Sequence, residues 1–572
     1  MLFNASSCAR RLLSAAICVA MLVGTVGPAA AEDLTALLAR PMSPGAVALL
    51  AEHATQPAAQ KRLIEAVKHE DPAVRTVAAR VAFVTMSKGA APALISTVAK
   101  EEHVQTGAEQ VRALMALLGA PGDAIVLGAV KRLGPPAAIA MADSLARTRP
   151  EDIPRHLPVL VAAMSKPDMP ELGAALASAS VQHPTHAKDI FDAVLAAKSD
   201  DLWMAVLDPL RLTGRLVPAP ALLAGLTSAE ESQRVRMLWL VFTLNSEGAR
   251  LPEDVIAAAA PRPIAAANAA NAADLTWEAF ARELIARQRG TPATKADWAG
   301  MLALPAHKEH VTTLASRAYV LLTDAEVNAI DTVSGERGEA ARRRSSARLD
   351  ERERQKAIKP PTQTTRTIPV FAKGLLTDLM TVSGCQPPKN SAFVTRDNKV
   401  SFAAGEMKYR PDGRPQTLSI VQASLSPECL AFVRAALTLT VASVDHPVLP
   451  ELTDLVLVLF SSEFLACADA PFAPARPRGT DLAFERARTT SKPKPDYPAE
   501  FRKTGMPDLA VYLRVRVNHT GCISGAETLR GVLPAFDVEA IESLFTAKMT
   551  PATLGGEPID STMTYTVTFS LR

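Results

Sequence analysis

The last part of the chain carries two segments in which apolar and polar residues alternate strictly, residues 511–517 and 563–571. A period of two predicts half-buried β-strands. The residues predicted to face the core of the first strand are Val511, Leu513, Val515 and Val517. Between the strands, Gly521 marks a turn, and Asp537 precedes apolar residues at helical spacing, which predicts a capped helix. The order strand, turn, strand, helix, strand predicts a small α+β domain.

The first half of the chain shows helical periodicity instead. Asp71-Pro72 predicts a helix start, because aspartate caps a helix and proline suits its first turn; Val74, Ala78 and Val81 follow at helical spacing. The pattern returns about thirty residues later, from Val104. A period of this length predicts paired helices stacked into a solenoid. An irregular helical domain is the alternative.

A third unit follows a charged segment. Residues 335–360 carry interleaved acids and bases, with Glu339 and Arg343 spaced for an ion pair along a solvated linker helix. Beyond it, residues 407–421 predict two strands around the turn Asp412-Gly413, then a helix from Pro427 and a strand at 454–460. Placing Asp412-Gly413 on Thr520-Gly521 brings the two C-terminal units into register. This predicts a degenerate internal copy; a coincidence between two small α+β units is the alternative.

The length, the net charge and the N-terminal residues indicate the number of domains and the cellular compartment of the protein. A chain of 572 residues is too long to fold around a single hydrophobic core, which favours several domains. Its net charge of +3 gives no electrostatic indication that it binds nucleic acid. Arg10-Arg11, the apolar residues 12–26 and small residues up to Ala31 predict a signal peptide cleaved after Ala31. An uncleaved anchor is the alternative, and it would be the chain's membrane contact. Either reading predicts export to the periplasm.

Export changes how the cysteines are interpreted. Four of them follow the predicted signal peptide: Cys385, Cys429, Cys467 and Cys522. An even number in an oxidising compartment predicts disulfides with three possible connectivities. We favour Cys385–Cys467, because that bond would join the two ends of one predicted domain. A metal site is disfavoured, since no Cys-x-x-Cys pair or close histidine is present.

No catalytic motif is apparent. His307 and His310 are spaced i,i+3 rather than as in His-Glu-x-x-His, and His183 with His186 lies in a turn-like segment typical of structural histidines. Nucleophile elbows and phosphate-binding glycine loops are absent. We therefore predict no catalytic residue, no cofactor and no metal.

The C-terminal unit resembles the TonB C-terminal domain family. Its landmarks occur in the family's order: Tyr497-Pro498, Gly505, the Val515/Val517 strand, Gly521, Phe536-Asp537, residues 548–552, residues 556–559 and the terminal strand. Ala547 and Met549 stand where the family has aromatic residues at the helix end. The Asp71-Pro72-Ala73-Val74-Arg75 string resembles a HEAT-type repeat.

The resemblance implies a mechanism. In TonB-like domains the terminal strand lies at a sheet edge and pairs with an extended segment of an outer-membrane receptor. The residues that it implies for partner binding are Tyr497, Arg502, Thr564, Thr566 and Thr568. We expect a non-enzymatic periplasmic adaptor that binds an envelope protein, such as an outer-membrane receptor, through this strand and through the helical solenoid, whose concave face would hold a second protein. The alternatives are an energy transducer with an uncleaved anchor and an enzyme in the helical region.

The predicted fold class is multidomain, an all-α HEAT-like solenoid followed by one or two α+β TonB-like domains. In chain order the predicted units are a signal peptide (1–31), a helical repeat domain (32–330), a charged linker (331–365), an α+β domain (366–470), a proline-rich linker (471–495) and the TonB-like domain (496–572).

Overall fold

The computed structural model describes most of the chain after the predicted signal peptide. The described residues are 33–164, 170–197, 205–206, 209–210, 219–246, 251–261, 277–291, 319–334, 338–356, 365–367, 374–385, 402–422, 427–443, 453–459, 483–491, 493–498, 501–502, 509–545 and 547–570. Predictions on Ala31, His307, His310 and Cys467 lie outside them. Within these residues, every helix is too short or too polar to cross a bilayer.

The N-terminal part is helical, as the sequence predicts. Its helices are α1 (Leu34–Ala39), α2 (Pro44–Leu49), α3 (Pro57–Val67), α4 (Pro72–Thr85), α5 (Ala91–Val98), α6 (Val104–Leu118), α7 (Asp123–Leu133), α8 (Pro135–Thr148), α9 (Ile153–Met164), α10 (Pro170–Gln182), α11 (Pro184–Ala196), α12 (Ala219–Leu226), α13 (Glu231–Ser246), α14 (Glu253–Ala259), α15 (Trp277–Gln288), α16 (Asp324–Ser334) and α17 (Glu339–Lys356).

The predicted start of α4 is confirmed. The Asp71 carboxylate accepts a hydrogen bond of 2.8 Å from the backbone N–H of Ala73, and Pro72 occupies the first turn. This satisfies one of the amides that a helix leaves unpaired at its N-terminus. Val74, Ala78 and Val81, the predicted apolar face, are buried.

The first helices pack in two rows. Helices α2, α4, α6, α8 and α10 pack side by side in one row, while α3, α5, α7, α9 and α11 pack against them. The hydroxyl groups of Thr76 and Thr106, thirty residues apart, form a buried hydrogen bond of 2.8 Å between α4 and α6. The thirty-residue spacing in the sequence thus corresponds to neighbouring helices of one row.

The predicted linker helix is also present. In α17, Nε of Arg343 lies 3.1 Å from Oε1 of Glu339, which confirms the predicted i,i+4 ion pair. The Arg344 guanidinium reaches back to Asp324 at the start of α16, so α17 is tied to the helix before it. An exposed pair of this kind contributes little to stability.

The C-terminal part contains the helices α18 (Leu375–Val382), α19 (Pro427–Thr438) and α20 (Pro534–Leu544). Its strands are β1 (Thr365–Thr367), β2 (Phe402–Tyr409), β3 (Pro415–Gln422), β4 (Asp454–Leu459), β5 (Phe484–Glu485), β6 (Arg488–Thr489), β7 (Leu509–Val517), β8 (Ile523–Arg530), β9 (Met549–Thr550), β10 (Ala552–Leu554), β11 (Glu557–Ile559) and β12 (Ser561–Phe569). Seven of these strands form one sheet in the order β12-β7-β8-β1-β4-β2-β3.

The two halves of this sheet share one topology. In each, the last strand pairs antiparallel with the first, and the first with the second: β12-β7-β8 and β4-β2-β3. The hairpin turns carry Gly521 and Gly413, whose φ angles are 82° and 81°. Each hairpin also has two register irregularities, at 512/513 and 516/517 in β7 and at 404/405 and 408/409 in β2. These positions coincide when Gly521 and Gly413 are superposed.

The helix of the C-terminal half begins earlier than predicted. Helix α20 starts at Pro534 with Leu533 as its N-cap, so the prediction that Asp537 caps it is wrong. Asp537 lies inside the first turns, is buried, and accepts a hydrogen bond of 3.2 Å from the N–H of Val532. Proline at the first helical position competes with an aspartate cap as a start signal, and here it determines the boundary.

One predicted disulfide pairing is wrong. Cys385 is bonded to Cys429, not to Cys467. The reason is packing: α18 ends next to Cys385 and lies against α19, which carries Cys429, so the two Cα atoms are 4.6 Å apart. Cys522 is disulfide-bonded as well, so all cysteines of the described residues are oxidised.

Candidate protein-binding edge

Strand β12 lies at one edge of the seven-stranded sheet. It pairs with β7 along nine consecutive positions, from Ser561 opposite Val517 to Phe569 opposite Leu509, without a register shift. Within the described part of the chain, no strand pairs with its other side. An edge strand presents a row of backbone N–H and C=O groups that a further strand can pair with.

The side chains of β12 alternate as the sequence predicts. Val567 and Phe569 are each 2% exposed, whereas Thr564, Thr566 and Thr568 are exposed. The period-two pattern of the terminal segment therefore identified the solvent-facing threonines and the inward face of the strand, on which Met563 and Tyr565 are half-buried. Short hydroxyl side chains leave the backbone at this edge accessible, and they add hydrogen-bonding groups beside it.

An aromatic cluster supports the C-terminal end of this strand. The ring centroids of Phe536 lie 5.1 Å from those of Tyr497 and Phe569, both with perpendicular ring planes. Tyr497 is 8% exposed and therefore packs beneath β12 rather than beside the threonines. Arg502 is exposed, and its Nε donates to the carbonyl of Tyr497 at 3.0 Å. Tyr497 and Arg502 thus lie together, apart from the row of threonines.

The N-terminal end of β12 is held by polar contacts. Oδ1 of Asp560 accepts from the backbone N–H of His519 at 2.8 Å and lies 3.0 Å from its Nδ1. Oδ2 of Asp560 accepts from Nε2 of Gln105 in α6 at 3.1 Å. These residues are far apart in the sequence, and no local pattern marks them.

The sheet and the helices form contacts through one row of helices. Nε of Arg516 on β7 lies 3.1 Å from Oε1 of Glu171 in α10. The Arg147 guanidinium in α8 donates to the carbonyl of Ser443, and Arg414 donates to the carbonyl of Val84 in α4 at 3.4 Å. With Gln105 in α6, these contacts show that α4, α6, α8 and α10 all contact the α+β part of the same chain.

A ladder of charges runs through this helix row. The Arg80 guanidinium of α4 contacts Glu109 of α6, and Asp143 of α8 lies 2.5 Å from Arg112 and 2.7 Å from Arg147. Burial is the largest influence on both arginines: it lowers the pKa of Arg80, whereas at Arg112 the carboxylates of Asp143 and Glu109 together outweigh it and raise the pKa. Each buried charge here has an opposite charge beside it, as burial requires.

Helix α20, which supports β7 and β8, carries two buried acids. Burial raises the pKa of Asp537 to about 7. It also raises the pKa of Glu542 to about 8, and the nearby Glu539 carboxylate acts in the same direction. Oε1 of Glu542 has no hydrogen-bond partner among the described residues. Both carboxyl groups are therefore largely protonated below neutral pH.

In the other half, the strand that corresponds to β12 is β4, and both of its sides are paired. Superposing Gly413 on Gly521 places Gly405 on Leu513, and their partners across the ladder are Val456 of β4 and Tyr565 of β12. Strand β1 pairs in parallel with Leu455, Val456 and Leu457. In this superposition, residues 455–457 of β4 correspond to Thr564–Thr566 of β12. The internal counterpart of the β12 edge is thus filled by a parallel strand of the same chain.

Among the residues that the structure describes, no three potential metal ligands lie close enough together to hold a metal ion. Nε2 of His183 lies 2.6 Å from the carbonyl of Ala146, a contact between helices.

Comparison with family models, with curated proteins and with solved structures finds no match for this chain.

Proposed function

We propose that this chain is a non-enzymatic protein-binding adaptor of the bacterial periplasm, which binds an extended segment of an envelope protein by strand addition at β12. The α+β halves are TonB-like in this proposal, and the two helix rows form a HEAT-type solenoid. The family resemblance of residues 496–572 supports the first assignment, and the thirty-residue helix spacing supports the second.

One observation carries the proposal: the counterpart of the β12 edge is already occupied by a strand. The segment Thr365–Thr367 pairs in parallel with β4 at the positions that correspond to Thr564–Thr566. A sheet edge of this architecture therefore accommodates an added parallel strand. Main-chain hydrogen bonds supply affinity in such complexes, and side chains on either face supply selectivity.

The same geometry limits where a partner binds. The helices α4, α6, α8 and α10 contact the α+β part of the chain, so the proposal assigns binding to β12 and gives this helix row a supporting role. Oxidised cysteines are typical of exported proteins and support the periplasmic assignment.

In-cell photo-crosslinking tests the proposal. A photoreactive amino acid at Thr566 or Thr568 is expected to give one discrete adduct with an envelope protein. Gln416 is the matched control, because it is also exposed on an edge strand but at the opposite end of the sheet. Ile541, fully buried in α20, is the second control.

Adducts from Thr566 and Thr568 but from neither control would support strand addition and would identify the partner. A folded, abundant protein that gives no adduct from either threonine would contradict the proposal. An adduct from Gln416 alone would place the interaction at β3 and would also contradict it.

A further inference from the structure

The short strand β1 joins the two halves of the sheet. It contributes three residues between β4 and β8, which have six and eight. It pairs in parallel with β4 at three positions and antiparallel with β8 at one, Arg366 opposite Glu527. Among the described residues, β4 and β8 are therefore each paired with β1 over only part of their length.

The position of β1 is that of a bound ligand strand. Its partner β4 is the counterpart of β12 in the internal copy, and β1 lies on the side of β4 that corresponds to the open side of β12. The internal copy therefore has its own strand-binding edge, which a segment of the same chain occupies. This reading depends on the equivalence of the two halves and not on which protein binds β12.

The fit of β1 in this slot is incomplete. Thr365 is fully buried, and α20 lies against β1. The hydroxyl oxygens of Thr365 and of Thr528, in neighbouring β8, are both buried without a hydrogen-bond partner in the part of the chain that the structure describes. A buried polar atom without a partner costs free energy, so these atoms weaken the binding of β1 in its slot.

The register across the slot places residues of opposite charge at facing positions. Glu527 of β8 is 8% exposed and forms an ion pair with Arg514 of β7 on one side. On its other side, Arg366 stands opposite Glu527 in the register. In the register, Arg514, Glu527 and Arg366 are successive positions across three strands, and because facing residues of opposite charge favour strand pairing, a basic residue is expected at the centre of the added strand.

We propose that the slot between β4 and β8 is a second strand-binding site, that the chain's own Thr365–Thr367 segment is its resident ligand, and that this segment exchanges with an extended segment of the same chemistry supplied in trans. That chemistry is a basic residue flanked by β-branched polar residues. The source to which the proposal commits is this segment from a second copy of the chain.

Peptide complementation of the full chain tests this inference. The variant Arg366→Pro removes a backbone donor from a strand that is paired on both sides, and so weakens the resident ligand. A fluorescent peptide of residues 363–369 is expected to bind this variant at least about tenfold more tightly than the unchanged chain, where the tethered segment competes at high effective concentration. Arg366→Ala, which keeps the donor, is the matched control.

The attachment site separates this inference from the proposed function. A benzophenone at the Arg366 position of the peptide is expected to label β4 or β8. Labelling of β12 alone, or equal affinity for the variant and the unchanged chain, would overturn the second site and leave binding at β12 untouched. If Arg366→Pro prevents folding, recovery of the far-ultraviolet circular dichroism signal on adding the peptide supports the inference.

The unchanged chain provides a measurement that does not depend on the variant. Exchange predicts that the benzophenone peptide, incubated with the folded chain for many hours, slowly accumulates as an adduct on β4 or β8. The absence of this adduct would show that β1 is a fixed strand of the sheet and would overturn the inference.

Discussion

At the scale of single residues, glycine turns decide whether the two sheet halves can form. Gly521 has φ 82°, and a Cβ added there would lie 2.5 Å from the carbonyl oxygen of Met549. We expect Gly521→Ala to destabilise the protein by about 2–4 kcal/mol, from backbone strain and the clash together. Gly556 is the matched control, because its φ is 85° but no atom lies within 4 Å of the added Cβ.

Urea unfolding of both variants measures the difference. Gly556→Ala is expected to cost about 1 kcal/mol, for the positive φ alone. Equal destabilisation by the two substitutions would show that the clash with Met549 does not contribute to the loss of unfolding free energy.

The buried acids predict a pH dependence. Asp537 and Glu542 have pKa values of about 7 and about 8 in the folded chain, above those of an unfolded chain. The folded protein therefore holds more protons, and its stability falls as the pH rises from about 4 through 8. We expect a loss on the order of 2 kcal/mol or more between pH 5 and pH 8.5.

Denaturant unfolding at these two pH values tests this expectation. The double variant Asp537→Asn with Glu542→Gln cannot ionise and should flatten the dependence. Stability that rises from pH 5 to pH 8.5 in the unchanged chain would contradict the assigned direction.

At the scale of elements, the charge ladder predicts which helix contacts matter. Asp143 is 2% exposed and pairs with both Arg112 and Arg147, so Asp143→Ala removes the acid beside buried Arg147 and leaves Arg112 with only Glu109, 3.9 Å away. Breaking a buried pair in this way costs about 3–5 kcal/mol. Asp192→Ala is the matched control: Lys188 and Asp192 form an i,i+4 pair with exposed side chains. Thermal unfolding should distinguish them, and equal melting temperatures would contradict the ladder's importance.

The elements themselves were largely predictable. The period-two segments became β7 and β12, and the Asp71-Pro72 signal became the start of α4. These predictions succeed because they depend on neighbouring residues alone. The predicted cap at Asp537 failed because Pro534 supplies a competing start signal, and the Cys385–Cys467 pairing failed because it depends on how α18 packs against α19.

At the scale of the whole molecule, the sequence predicted the topology of each half but not their joining. Three residues of β1 carry no pattern long enough to indicate a strand, yet they unite the two halves into one sheet. The contacts of Gln105 with Asp560 and of Glu171 with Arg516 link residues more than 300 positions apart. Such contacts arise from the packing of complete elements, which a local pattern does not encode.

The direction in which the partner strand runs along β12 tests strand addition more directly than any other measurement. Once crosslinking has identified the partner segment, cysteines at Thr564 and Thr568 are paired one at a time with cysteines along that segment. Because β1 runs parallel to β4, we expect Thr564→Cys to form disulfides with earlier partner residues than Thr568→Cys does. The reverse order, or disulfides from neither position, would contradict the claim that β12 binds its partner as β4 binds β1.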